Sequence, residues 1–193
     1  MSADTLPAAS GLPAGTRVRA LGTALELFSR DGYDAVSMRA IAEELGVTKA
    51  ALYHHFTSKE EIARELVGSY LAAVDDLVGW AEKTHPELNE LLGRWADLVR
   101  AQGLQIGKFL HANQRVIREL GLTTADGPRR AVDRVADAVV GSEAPAALRM
   151  QVRMALLALH TAAIAAEGLP LESDEVFRIA RAVAATTVRN AQA

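Results

Sequence analysis

The sequence predicts an all-α protein, and three observations carry that prediction. Apolar residues recur at spacings of three and four along most of the chain, the period of an amphipathic helix. Sustained two-residue alternation, and hairpin turns between β-branched runs, are missing. Glycine and proline then cut the periodic stretches into pieces of helix length.

Residues 1–15, rich in Ala, Pro, Gly and Ser, are expected to be a flexible tail. The first helix is expected over residues 16–30, with Val18, Leu21, Leu25 and Phe28 on one face and Gly32 as its left-handed stop. Ser37 caps a short second helix whose buried face is Ile41, Ala42 and Leu45 and which ends at Gly46. Thr48 caps a third short helix running to about residue 55. Ser58-Lys59-Glu60-Glu61 reads as a capping box, with Ser58 taking the amide of Glu61 and Glu61 reaching back to the amide of Ser58. It opens a long helix carrying Ile62, Leu66, Tyr70, Val74 and Leu77. Further helices are expected over residues 86–101, 105–120, 129–140, 145–167 and 174–190, giving about nine in all.

Composition narrows the function. Half of the 193 residues are hydrophobic and 23% are charged, enough for a packed core. The balance of 21 basic and 24 acidic residues gives −3, which excludes a basic coat for polyanions but not a local basic patch. With no cysteine there are no disulfides, thiolate nucleophiles or Cys-ligated metals. The longest apolar run, residues 154–166, falls short of the roughly 20 residues a bilayer span needs. The first 15 residues lack the pattern of a signal peptide, so a cytoplasmic location is expected. No phosphate loop, G-x-S-x-G or H-E-x-x-H occurs, and the histidines at 54, 55, 85, 111 and 160 form no i, i+3 or i, i+4 pair. Neither an enzyme nor a bound metal or cofactor is expected.

The informative stretch is residues 37–56, SMRAIAEELGVTKAALYHHF. Two short helices joined by Leu45-Gly46-Val47 follow the grammar of a helix-turn-helix, in which the second helix enters the DNA major groove. Between Leu45 and Lys59 there is no acidic residue, while Lys49, His54, His55 and Lys59 all occur. Residues 1–60 nevertheless hold six basic and seven acidic groups, so any DNA footprint is a small patch. Spacing alone leaves a second reading open, a structural helical hairpin in a small-molecule-binding or scaffolding protein without DNA binding.

The stretch ALELFSRDGYDAVSMRAIAEELGVTKAALYHHFTSKEEI, from Ala24 to Ile62, resembles the DNA-binding domain of the TetR family of transcriptional regulators. The resemblance rests on Ala24, Phe28, Gly32-Tyr33, Ser37, Ile41-Ala42, Gly46-Val47, Leu52-Tyr53, Phe56 and Lys59-Glu60. It implies a helix-turn-helix domain over residues 16–62 and a helical ligand-binding and dimerisation domain over 63–193. It also implies roles. Thr48, Lys49 and Ala50 open the recognition helix, where a lysine can donate to guanine and an alanine methyl can meet a thymine methyl. Tyr53 and His54 face phosphate, Lys59 joins free helix amides at an anion, and Arg39 forks onto a phosphate or flanking base. His55 is expected to be structural.

One such unit reads few base pairs, so a homodimer on a palindromic operator is expected. Two stripes could supply the interface: Leu148, Val152, Ala155, Leu156, Leu159 and Ala163, then Val176, Ile179, Ala180, Val183 and Thr187. The resemblance further implies release by a small-molecule effector held among the middle helices. Trp80, Trp95, Phe109, His111, Asn113, Gln114 and His160 are the candidate contacts.

Overall fold

The computed structural model describes residues 14–122 and 128–191, and among these every regular element is helical. The expected amino-terminal tail lies outside the described residues up to position 13, and Ala14 and Gly15 already belong to the first helix. Four helices build the amino-terminal unit: α1 (Ala14–Asp31), α2 (Met38–Leu45), α3 (Lys49–His55) and the start of α4 (Lys59–Thr84). The rest comprises α5 (Leu88–Leu98), a π-helical turn (Val99–Gly103), α6 (Leu104–Ala112), α7 (Gln114–Glu119), α8 (Pro128–Val140), α9 (Ala146–His160), α10 (Ala162–Ala165) and α11 (Ser173–Ala191). Among the described residues, no helix is long and apolar enough to cross a membrane.

Helix α4 runs through both halves. Its first two turns bury Ile62, Ala63 and Leu66, and its later turns bury Tyr70, Val74, Leu77 and Val78 and pack on α5 and α8. A 26-residue helix is about 39 Å long at 1.5 Å per residue, so its two ends serve different neighbourhoods. Among the described residues, the packing of α9 against α11 is the most extensive helix pairing.

Two expected long helices are each broken once, for a local polar reason. The stretch predicted over 105–120 divides at Asn113, whose backbone leaves the helical region (φ −121, ψ 34). Its side chain takes the Tyr33 amide at 2.9 Å and donates to the Phe109 carbonyl at 2.9 Å. The stretch predicted over 145–167 divides at Thr161, which donates its hydroxyl to the Leu157 carbonyl at 2.8 Å. The capping box is half as predicted. Ser58 Oγ accepts from the Glu61 amide at 3.2 Å, but Glu61 reaches one residue further back, to the Thr57 amide at 2.7 Å.

The α9 stripe predicted as an interface turns inward. Val152, Ala155, Leu156 and Leu159 are fully buried in the subunit's own core and Leu148 is half-buried, while the Ala163 side chain lies outside the described residues. The apolar face that α9 leaves bare is Met150, Met154 and Leu157. On α11 the predicted stripe divides. Ile179 and Val183 are exposed, Ala180 is buried, and Val176 and Thr187 are intermediate.

Candidate nucleic-acid interface

The amino-terminal unit is held by Phe28, Ile41, Leu52, Phe56 and Ile62, all fully buried. Around that core each short helix is capped where the sequence allows. Ser37 Oγ accepts from the Ala40 amide at 3.1 Å and Thr48 Oγ1 accepts from the Ala51 amide at 3.1 Å. Gly46 adopts φ 74, and the Val47 amide returns to the Ala42 carbonyl at 2.9 Å, a Schellman closure that an L side chain at 46 would strain.

With Leu52 facing inward, α3 turns Thr48, Lys49, Ala50, Tyr53 and His54 to solvent. Tyr53 is 42% exposed although it is aromatic, and Lys49 Nζ lies 5.4 Å from its ring centre. Thr48 uses an oxygen lone pair for its cap, leaving the O–H free to donate. Arg39, Lys49, Tyr53 and Lys59 line one concavity with Ser37 and Thr57, while Thr48, Ala50 and His54 stand on the outward side of α3. Arg39 holds an exposed pair with Glu43 at 2.7 Å, a contact of about 0–1 kcal/mol that a phosphate can displace.

Two cations fix the pose of this unit. Lys59 Nζ donates to the Tyr33 and Val36 carbonyls at 2.7 and 2.9 Å and stands 4.1 Å from the Tyr33 ring centre. One of its three N–H groups therefore remains for an anion. Arg17 is bidentate to Glu65 of α4, donating from Nε at 2.9 Å and from Nη2, and its Nη1 reaches the His55 carbonyl at 2.6 Å. The guanidinium also covers the Phe56 ring, so one side chain joins α1, α4 and the carboxyl end of α3. Sequence reasoning missed Arg17; its place one residue into the predicted first helix gave no sign of a partner 48 residues on. It also passed over Ser37 and Thr57 as groups facing the concavity, although both were legible as hydroxyls flanking short helices.

The candidate effector residues fall into separate places. Trp95 and His160 meet in the core, with ring centres 6.1 Å apart, and Tyr70 Oη lies 3.2 Å from His160 Nδ1. Trp95 Nε1 donates to the Leu156 carbonyl at 3.1 Å. Phe109 and Asn113 instead join the two halves of the chain: Phe109 packs on Phe28 at 5.6 Å and Tyr33 at 6.4 Å, beside the Asn113–Tyr33 bond. His111 lines an open cleft, Trp80 lies under the Arg94 guanidinium at 3.9 Å, and Gln114 is exposed at the start of α7. Tyr70, read from sequence only as a core position, belongs with the Trp95–His160 group.

Burial pushes the His160 pKa below the usual histidine value, and it pushes the Tyr70 phenol up. The folded chain thus refuses a proton that the unfolded chain takes up as pH falls through about 6.5, and stability falls in step until the lowered pKa is passed. Thermal midpoints measured from neutral to mildly acidic pH are expected to drop less in His160→Gln than in the parent chain. Identical slopes would show that His160 accepts its proton in place.

Two short capped helices, the second with its outer face exposed, give this unit the geometry of a helix-turn-helix. Residues 20–66 match the family model described as bacterial regulatory proteins, tetR family. The chain is 40% identical over 52 residues to the HTH-type transcriptional regulator UidR of Escherichia coli strain K12, a match covering 27% of this chain and 26% of UidR. It is 40% identical over 65 residues to the HTH-type transcriptional repressor KstR2 of Rhodococcus jostii strain RHA1, covering 34% and 30%. These matches span between a quarter and a third of the relatives' length. A solved structure extends the likeness: PfmR, a TetR family transcriptional regulator from Thermus thermophilus, superposes with a TM-score of 0.61 at 25% identity, covering 90% of this chain and 95% of that one. Residues 20–66 thus match the DNA-binding domain of the TetR family, and the chain as a whole is similar in fold to a TetR family regulator.

Proposed function

We propose that this protein is a repressor that binds a palindromic operator as a homodimer and releases it when a small molecule occupies the helical body. One observation carries the DNA-binding part: α3 presents Thr48, Lys49, Ala50, Tyr53 and His54 to solvent, in a segment from 45 to 59 without an acidic residue. Lys49 at the amino end of α3 suits a guanine edge, Ala50 a thymine methyl, and Thr48, Tyr53, His54, Arg39 and the remaining Lys59 donor suit phosphate. Repression is supported by the name of KstR2, a repressor. The DNA-binding domain is taken as residues 16–62, with 63–193 as the body.

The exposed apolar face of α9 and α11 supports the dimer. Met150, Met154 and Leu157 repeat at helical spacing, Ile179 and Val183 do the same, and α9 and α11 pack together. A second copy seated there supplies the second recognition helix that a two-fold site requires, successive major grooves lying roughly 34–36 Å apart. Effector release then follows from differential affinity, since a ligand favouring another tilt of α4 changes that separation.

Operator binding by fluorescence anisotropy tests the reading, using a duplex selected from a random pool. Lys49→Ala is expected to cost about 1–3 kcal/mol of specific affinity, which is what one base contact contributes. Tyr53→Phe should weaken binding less, and the selected site should be two-fold symmetric. Unchanged affinity in both variants would remove these residues from the interface.

A further inference from the structure

A cleft of about 330 Å³ opens between the end of α1, one face of α6 and the connection from α10 to α11. That is the lower end of the range for small-molecule sites, about 300–1,000 Å³. Its α6 wall carries Gln105, Lys108 and His111, successive at i+3 and so on one helical face. Among the described residues none of these three side chains has a hydrogen bond or ion pair. The opposite wall is apolar at Ile164, Leu171 and Val176, with Glu167 at its edge. Ser29, on the α1 wall, has a buried hydroxyl without a hydrogen-bond partner.

The cleft is also placed to matter. Three of its lining residues are chain neighbours of the junction between the two halves: Ser29 adjoins Phe28, Lys108 adjoins Phe109, and Ala112 adjoins Asn113. Anything wedged between Ser29 and Lys108 pushes on the contact that seats the DNA-binding unit on the body.

We propose that this cleft binds a small amphipathic monocarboxylate, and that its occupancy loosens the seat of the DNA-binding unit on α6. Lys108 supplies the counter-charge, Gln105 and His111 supply hydrogen bonds, and Ile164, Leu171 and Val176 receive the hydrocarbon body. Glu167 repels a second carboxylate, which limits the ligand to one. The proposal rests on the reading of the chain as an effector-released DNA-binding protein, and it locates that effector away from the Tyr70–Trp95–His160 cluster.

The test uses straight-chain carboxylates from hexanoate to dodecanoate, with the matching primary alcohols, as probes. Each is added to the full chain in a thermal-shift assay and to its complex with the selected operator. At least one carboxylate is expected to raise the thermal midpoint and to lower operator affinity about tenfold, within the usual range of coupling. Its alcohol should do neither. Lys108→Met should abolish both responses while leaving ligand-free operator affinity unchanged, and Gln105→Trp, which fills the cleft from an exposed position, should abolish them without removing the charge. The inference is overturned if acids and alcohols act alike, if the response survives Lys108→Met, or if no probe binds. Failure to select any duplex would defeat the operator-binding reading instead, and the thermal-shift arm with Lys108→Met would still judge the cleft.

Discussion

Phe109→Ala is expected to destabilise the protein by about 3–5 kcal/mol, the range for removing a buried aromatic side chain. Phe109 is fully buried and its ring packs against both Phe28 and Tyr33 of the amino-terminal unit, so truncation leaves a cavity at the seam between the two halves. For a chain of this size that loss lowers the thermal midpoint by roughly 10 °C. The position of the cavity adds a second effect. The Asn113–Tyr33 bond and the exposed Arg115–Asp34 pair at 2.5 Å would remain to hold the junction, and neither replaces a packed ring. Hydrogen exchange should therefore quicken in residues of α1 and α2 before it quickens in α9. A uniform change across the chain would mean that the halves unfold as one unit and that the seam has no special weakness.

Arg17→Met carries the larger functional effect. The substitution keeps a flexible apolar chain over Phe56 but leaves the Glu65 carboxylate and the His55 carbonyl without their shared donor. Hydrogen bonds to charged groups contribute about 1.5–3 kcal/mol, and partial exposure of this pair puts it at the lower end. The consequence for DNA is geometric, because the carboxyl end of α3 would lose its tie to α4. Specific affinity is expected to fall about tenfold. The salt dependence of binding should stay the same, since Arg17 neutralises no phosphate in this arrangement. A salt slope reduced by about one unit would instead make Arg17 a phosphate contact.

Much of the fold was legible because it is local. The caps at Ser37, Thr48 and Ser58 and the turn at Gly46 are read from a few consecutive residues, and each forms as its residue types dictate. The bare face of α3 follows in the same way from the burial of Leu52 and Phe56. What sequence periodicity could not supply is the side on which an all-round apolar helix is covered. The 145–167 stretch offers apolar residues in every direction, so the inward stripe at Val152, Ala155 and Leu156 and the outward one at Met150, Met154 and Leu157 look equivalent until neighbours are placed. The breaks at Asn113 and Thr161 were hidden for a related reason. A polar side chain interrupts a helix only if a particular carbonyl or amide is there to compete for it, and for Asn113 that amide belongs to Tyr33, 80 residues away.

The two tryptophans have a practical consequence for anyone who watches this protein unfold. Both lie beyond residue 62: Trp95 is sealed in the body and Trp80 sits beneath Arg94. Tryptophan emission, excited apart from that of Tyr33 and Tyr53, is accordingly blind to fraying of the helix-turn-helix, and a single clean tryptophan transition would certify only the body. Tyr33→Trp would give the silent half its own optical signal, and the lag between the two emissions would measure how tightly the halves melt together.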